Sequence, residues 1–99
     1  MLYNSKMKWK TTLSTKADQI QRKLPEKIRM LTQLLMNDLS EFGFCPGKQW
    51  THFGKLSGNK YHCHLKNGRP TYVACWEIIS KSQRKIEVYY VGTHENAPY

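Results

Sequence analysis

The sequence predicts an α+β fold: an N-terminal strand, then two helices packed on one face of a four-stranded, largely antiparallel sheet. Three observations predict it. An alternating segment near the N-terminus precedes one long helical stripe. Three strand-like segments then follow with only turn residues between them, which is the order of a meander rather than of alternating parallel units. A sheet this small cannot bury its apolar side alone, so the helices must cover one face and leave the other open. The 99 residues leave room for one domain, spanning 1–99. The 39% hydrophobic content is enough for a core and argues against a disordered chain.

Residues 7–13 alternate Met7, Trp9 and Thr11 against Lys8, Lys10 and Thr12, the pattern of a strand with one wet face. Ser14 and Thr15 offer N-cap oxygens for a short helix over 16–23. Pro25 suits the first position of a second helix over 25–42, where its missing N–H costs nothing. In that helix Ile28, Leu31, Leu35, Leu39 and Phe42 recur every three or four residues, and Leu24 and Leu34 widen the stripe. Gly43 is a natural stop, free to take positive φ.

Residues 44–54 read as a loop, with Pro46, Gly47 and Gly54. A strand over 61–66 follows. Asn67-Gly68 then predicts a two-residue type I′ hairpin, because both central positions of that turn need positive φ. Residues 71–79 are apolar on nearly both faces and predict the central strand. Residues 85–91 alternate and form the last strand, which Gly92 ends before a short tail over 93–99.

Sixteen Lys and Arg against seven Asp and Glu give a net charge of +9, which points to a polyanionic partner: nucleic acid first, an acidic protein second. The charge is segregated, with +6 over residues 1–29, −2 over 30–47 and +5 over 48–99. No stretch approaches the roughly 18 apolar residues of a membrane helix, so no membrane association is expected. The first ten residues carry three lysines with no apolar run behind them, which argues against a secretory signal. Cys45, Cys63 and Cys75 are an odd number without a C-x-x-C pair, which fits a reducing cytoplasm.

Four histidines, His52, His62, His64 and His94, fall in the C-terminal half. His62 and His64 stand two apart on one strand and so share a face. Either they decorate a solvated face, or they form an imidazole pair with Lys55, Lys60, Lys66 and Arg69 around it. Imidazoles exchange protons near neutral pH, and cations stabilise phosphate charge, which is what RNA cleavage requires. A zinc site would need His62, His64 and a further ligand such as Cys45 or His52. That spacing matches no closed zinc module, so no metal is assigned. Cys63 and Cys75 are expected to fill the core. The tail brings His94, Glu95 and Tyr99 within six residues, and a phenol can stack on a base or donate to a phosphate.

The order of elements, Gly54-Lys55-Leu56-Ser57-Gly58 before the meander, Cys63-His64 on its first strand and Val91-Gly92-Thr93-His94 after its last resemble the RelE/ParE toxin superfamily. The resemblance is strongest to its ribosome-dependent messenger-RNA endonucleases, the RelE and YafQ branches, and runs over nearly the whole chain. It implies the toxin of a type II toxin–antitoxin pair that enters the ribosomal A site and cuts messenger RNA by attack of the RNA's own 2′-hydroxyl, with no metal and no cofactor. It implies an acidic antitoxin as partner, besides ribosome and messenger. Carried over by position, His64 matches the histidine of the Cys-His strand, and His94 the histidine after the last strand. Tyr99 stands near the terminal aromatic that stacks on the base. These three are the expected catalytic residues; Lys55, His62, Lys66 and Arg69 are the expected substrate contacts. His62 and His64 fall where the RelE branch has two lysines. The chain departs from that branch at Val73, where an arginine is usual and Arg69 is the candidate replacement. It departs again at Glu95-Asn96-Ala97-Pro98, which stands in place of a basic tail. Two other readings belong beside this one: a ParE-like gyrase inhibitor, whose branch lacks the imidazole and terminal aromatic set, and a basic RNA- or antitoxin-binding domain without catalysis.

Overall fold

The computed structural model describes residues 8–99. Its elements are β1 (Lys10–Leu13), α1 (Thr15–Gln21), α2 (Glu26–Phe42), β2 (Gly54–Ser57), β3 (Lys60–Lys66), β4 (Tyr72–Ser80), β5 (Lys85–Thr93) and a one-turn 3₁₀ helix over His94–Asn96. The sheet has five strands in the order β1-β5-β4-β3-β2. The chain starts beside β5, crosses one face through both helices, enters the sheet at its far edge and meanders back. β1 is therefore parallel to β5, while all other pairs are antiparallel.

β1 begins at Lys10, and Met7 of the expected strand lies outside the described residues. Ser14 caps α1: its Oγ accepts from the Ala17 N–H at 3.1 Å, and Ala17 is fully buried. The helix ends two residues short of the expected 23, at Gln21. Ser14→Ala removes the acceptor and is expected to destabilise the protein by about 1 kcal/mol, read as a lowered urea midpoint at unchanged slope.

Pro25 is the N-cap of α2 rather than its first residue, with extended ψ 149°. The buried face of α2 is Ile28, Thr32, Leu35 and Leu39. Thr32 takes a core position because its hydroxyl donates to the Ile28 carbonyl at 2.8 Å, which satisfies it within the helix. Phe42 and Leu34, both expected in the stripe, are instead 59% and 53% exposed. Gly43 does take positive φ, +85°, and a Cβ there would stand 3.0 Å from the Trp9 indole nitrogen.

The extra strand, β2, lies inside what reads as loop and turn. It is four residues long and starts on glycine, but Gly58-Asn59 joins it to β3 as a two-residue turn with Gly58 at φ +51°. The expected Asn67-Gly68 turn is replaced by a five-residue connection. A two-residue turn there would pair Leu65 with Pro70, and proline has no N–H for the ladder. Lys66 pairs with Tyr72 instead, with a bulge at Leu65, and only Gly68 of the two central residues has positive φ.

The core lies between the helices and one sheet face. Ile28, Leu35 and Leu39 meet Cys63 and Leu65 of β3, Ala74 and Trp76 of β4, and Ile86, Val88 and Val91 of β5. β4 is the middle strand, and Val73 to Trp76 are buried on both faces. Two indoles tie the 44–53 loop to this frame: Trp50 donates to the Asp38 carboxylate at 2.7 Å and Trp76 to the Phe44 carbonyl at 3.2 Å. Among the described residues no helix is long and apolar enough to cross a membrane.

Candidate active site

Residues paired across an antiparallel ladder share a face. His62 pairs with Cys75, and Cys75 with Tyr90; His64 pairs with Val73, and Val73 with Gly92. His62, His64, Val73 and Cys75 face away from the α2 core, while Tyr90 and Gly92 border a cleft with Lys16 and Ile20 of α1. Cys63, between the two histidines, pairs with Ala74 on the helix side and is fully buried, so its sulfur cannot join them around a metal. Burial pushes the Cys63 and Cys75 thiols up to about 12, which leaves both as inert protonated groups at neutral pH.

The C-terminal tail folds back over this face. The His94 backbone N–H donates to the Thr71 carbonyl at 2.8 Å, and the Tyr90 hydroxyl donates to the Thr93 carbonyl at 2.7 Å. Gly92 permits the second contact, since a Cβ there would sit 2.6 Å from the Tyr90 oxygen. The Tyr99 ring then lies 5.0 Å from His62 and meets His94 edge-on at 5.9 Å. His94 in turn stands edge-on to His64 at 5.6 Å.

His52, which the sequence offers only as a spare metal ligand, belongs to this cluster. It holds a left-handed conformation, φ +56°, and stacks on His64 with centroids 3.9 Å apart. No periodic pattern marks it, because it sits in a loop. What places it is the backbone bond from the His64 N–H to the Thr51 carbonyl at 2.8 Å. The face therefore gathers four imidazoles and a phenol.

The cations divide differently. Arg69 borders an open cleft of about 460 Å³ between the β3–β4 connection and the tail, with His64, Thr71, His94 and Glu95 on the same walls. Lys66 meets His64 from another side. Simple alternation puts it with His62 and His64, but the Leu65 bulge sets it opposite Tyr72 on the helix side, in a groove that Leu31, Leu34, Asp38 and His64 also line. Lys55 pairs with Tyr61, whose ring packs on the core cluster, so Lys55 too leaves the sheet on the helix side. Of the four expected substrate contacts, His62 and Arg69 adjoin several of the expected catalytic residues, Lys66 shares a groove with His64, and Lys55 stands apart from them.

Burial lowers the His62 pKa, and the neighbouring His64, His94 and His52 lower it further. Its Nδ1 is buried without a hydrogen-bond partner. His62 therefore favours the neutral form and makes a poor substitute for a phosphate-binding lysine. Burial raises the pKa of the Tyr99 phenol, which keeps it a proton-bearing donor. The arrangement supplies imidazoles for proton transfer, a phenol and aromatic rings for a base, and one guanidinium for anionic charge.

No family model and no curated protein matches the sequence. Among solved structures, the chain is similar to a mutant of the E. coli toxin RelE, with two arginines replaced by alanine, in the free state, at 19% identity with a TM-score of 0.69, over 92% of this chain and 88% of that one. It is also similar to the archaeal RelE–RelB complex from Pyrococcus horikoshii OT3, at 13% identity with a TM-score of 0.64, over 92% of this chain and 100% of that one. At such identities the likeness is one of architecture, and by that measure the chain has the RelE fold.

Proposed function

We propose that this chain is a single toxin domain over residues 1–99, the toxin of a type II toxin–antitoxin system, which acts in the cytoplasm by cleaving messenger RNA in the ribosomal A site. A fold does not assign a function. The observation that carries the reading is the convergence of His52, His62, His64, His94 and Tyr99 beside Arg69 on the sheet face opposite α2.

The chemistry is transfer within the RNA itself. His64, on the wall of the cleft, takes the proton of the 2′-hydroxyl as its oxygen attacks phosphorus. His94, 5.6 Å away, gives a proton to the departing 5′-oxygen. The 2′-O–P bond forms, the P–5′-O bond breaks, and a cyclic phosphate and a free 5′-hydroxyl result. Arg69 meets the charge that gathers on the phosphoryl oxygens, and Tyr99, half exposed, offers its ring to the adjoining base. Two placed imidazoles are each worth about 10²–10⁴-fold as general acid or base, so this pair accounts for a large share of the rate without a metal.

The surplus of positive charge suits ribosomal RNA, and it equally suits an acidic antitoxin that orders on binding. The similar archaeal protein is held by RelB, which supports a partner of that kind. Primer extension on a defined messenger, with and without ribosomes at constant Mg²⁺, tests the reading. Cuts that appear only with ribosomes are expected. Their absence under every condition, from folded protein, would sink the nuclease reading.

A further inference from the structure

Asn67 lies in the β3–β4 connection and belongs to no expected set of site residues. Its side chain bridges two groups of the imidazole face. Its Oδ1 stands 2.6 Å from His64 Nδ1, and its Nδ2 donates to Thr51 Oγ1 at 3.2 Å. Thr51 is the same residue whose carbonyl receives the His64 backbone N–H. His64 is thus gripped through backbone and ring by one pair of neighbours, while His52 stacks on one face of its ring at 3.9 Å and opposes rotation.

We propose that Asn67 is a positioning residue that fixes the tautomer of His64, holding the proton on Nδ1 and leaving Nε2 as the free lone pair. This rests on the nuclease reading only for its consequence: Nε2 becomes the atom that takes the 2′-hydroxyl proton. With the Asn67 amide nitrogen spent on Thr51, the group facing His64 is a carbonyl oxygen, which only accepts. A neutral His64 must then carry its hydrogen on Nδ1. The same orientation suits the imidazolium formed after proton uptake, because a protonated ring keeps N–H on both nitrogens. The flipped amide would set an NH₂ group against that N–H and oppose the charged state. The observed orientation therefore serves both halves of a proton-transfer cycle, and the flipped one serves neither, because it would also place the neutral ring's hydrogen on Nε2.

Asn67 is exposed, so its replacement removes little packing. Nitrogen-15 NMR of the purified protein, free of ribosomes and above the imidazole titration range, reads which ring nitrogen bears hydrogen. The His64 signals are assigned by their loss in His64→Ala. Expected are Nδ1–H in the wild type, a shift of the tautomer ratio toward Nε2–H by about tenfold in Asn67→Ala, and retention of Nδ1–H in Asn67→Asp, whose carboxylate still accepts. Nε2–H in the wild type, or one tautomer common to wild type and Asn67→Ala, would overturn the assignment. Cleavage is scored separately on the same samples, where Asn67→Ala is expected to lower kcat with KM little changed. A wild type that shows Nδ1–H yet never cuts leaves the tautomer assignment standing and removes the nuclease reading instead.

Discussion

Replacing His94 with alanine is expected to slow messenger cleavage by about 10²–10⁴-fold while the protein remains folded. Both halves follow from where His94 stands. Its side chain is exposed at the start of the 3₁₀ turn, and its structural bond, from its own backbone N–H to the Thr71 carbonyl, survives the substitution. What is lost is an imidazole 5.6 Å from His64 and 5.9 Å from Tyr99, on the wall of the cleft that Arg69 borders. The leaving 5′-oxygen then departs without a proton, and water entering the open cleft replaces a positioned acid only poorly. Glutamine at the same position keeps size and polarity but cannot release a proton in this range, so it should be nearly as slow as alanine. Single-turnover cleavage of ribosome-bound messenger measures the rate, and urea melts of both variants establish folding. A folded His94→Ala protein that cuts at the wild-type rate would remove His94 from the mechanism, and the tail would revert to a cover for Cys75 and Val73.

The site divides into what a sequence pattern can reveal and what only pairing reveals. That His62 and His64 share a face follows from strand alternation alone, and the ladder agrees. Lys66 shows the limit of the same rule. One extra residue at Leu65 moves it to the helix side, and a bulge leaves no mark in the period-two pattern. Lys55 was unreadable for a related reason: β2 is too short to declare its own faces, and only its register with Tyr61 decides. Asn67-Gly68 carries a strong local preference for a tight turn, but Pro70 three residues on cannot join a ladder, and the non-local constraint prevails. His52 depends wholly on tertiary structure, since a loop residue acquires its neighbours from the path of the loop. The long helix is legible because seventeen residues repeat the signal, yet Phe42 at its last turn is exposed and does not join the buried stripe. These failures fall on turns, bulges and loops, where a few residues must satisfy contacts distant in sequence.

The same central strand carries core residues on one face and backs the two strand histidines on the other, so a core substitution should reach both. Trp76→Ala is expected to destabilise the protein by about 3–5 kcal/mol. A domain of this size is stable by only about 5–15 kcal/mol in total, so the loss approaches the whole margin. Trp76 is fully buried in the middle of β4, against the α2 residues of the core and within 6.0 Å of Phe53. Its indole N–H also satisfies the Phe44 carbonyl, which would lose that donor. On the opposite face of the strand, Cys75 and Val73 are the ladder partners of His62 and His64. A cavity at position 76 therefore loosens the backbone that spaces the imidazoles, and the 44–53 loop that carries His52 loses an anchor. Urea denaturation followed by circular dichroism measures the first effect as a lowered midpoint. Trp76→Phe separates the two, because it keeps most of the buried area and forfeits only the hydrogen bond to Phe44. It should cost far less than alanine. If Trp76→Ala unfolds at the wild-type midpoint, the indole is not the keystone of this core, and the coupling between helix face and histidine face fails with it.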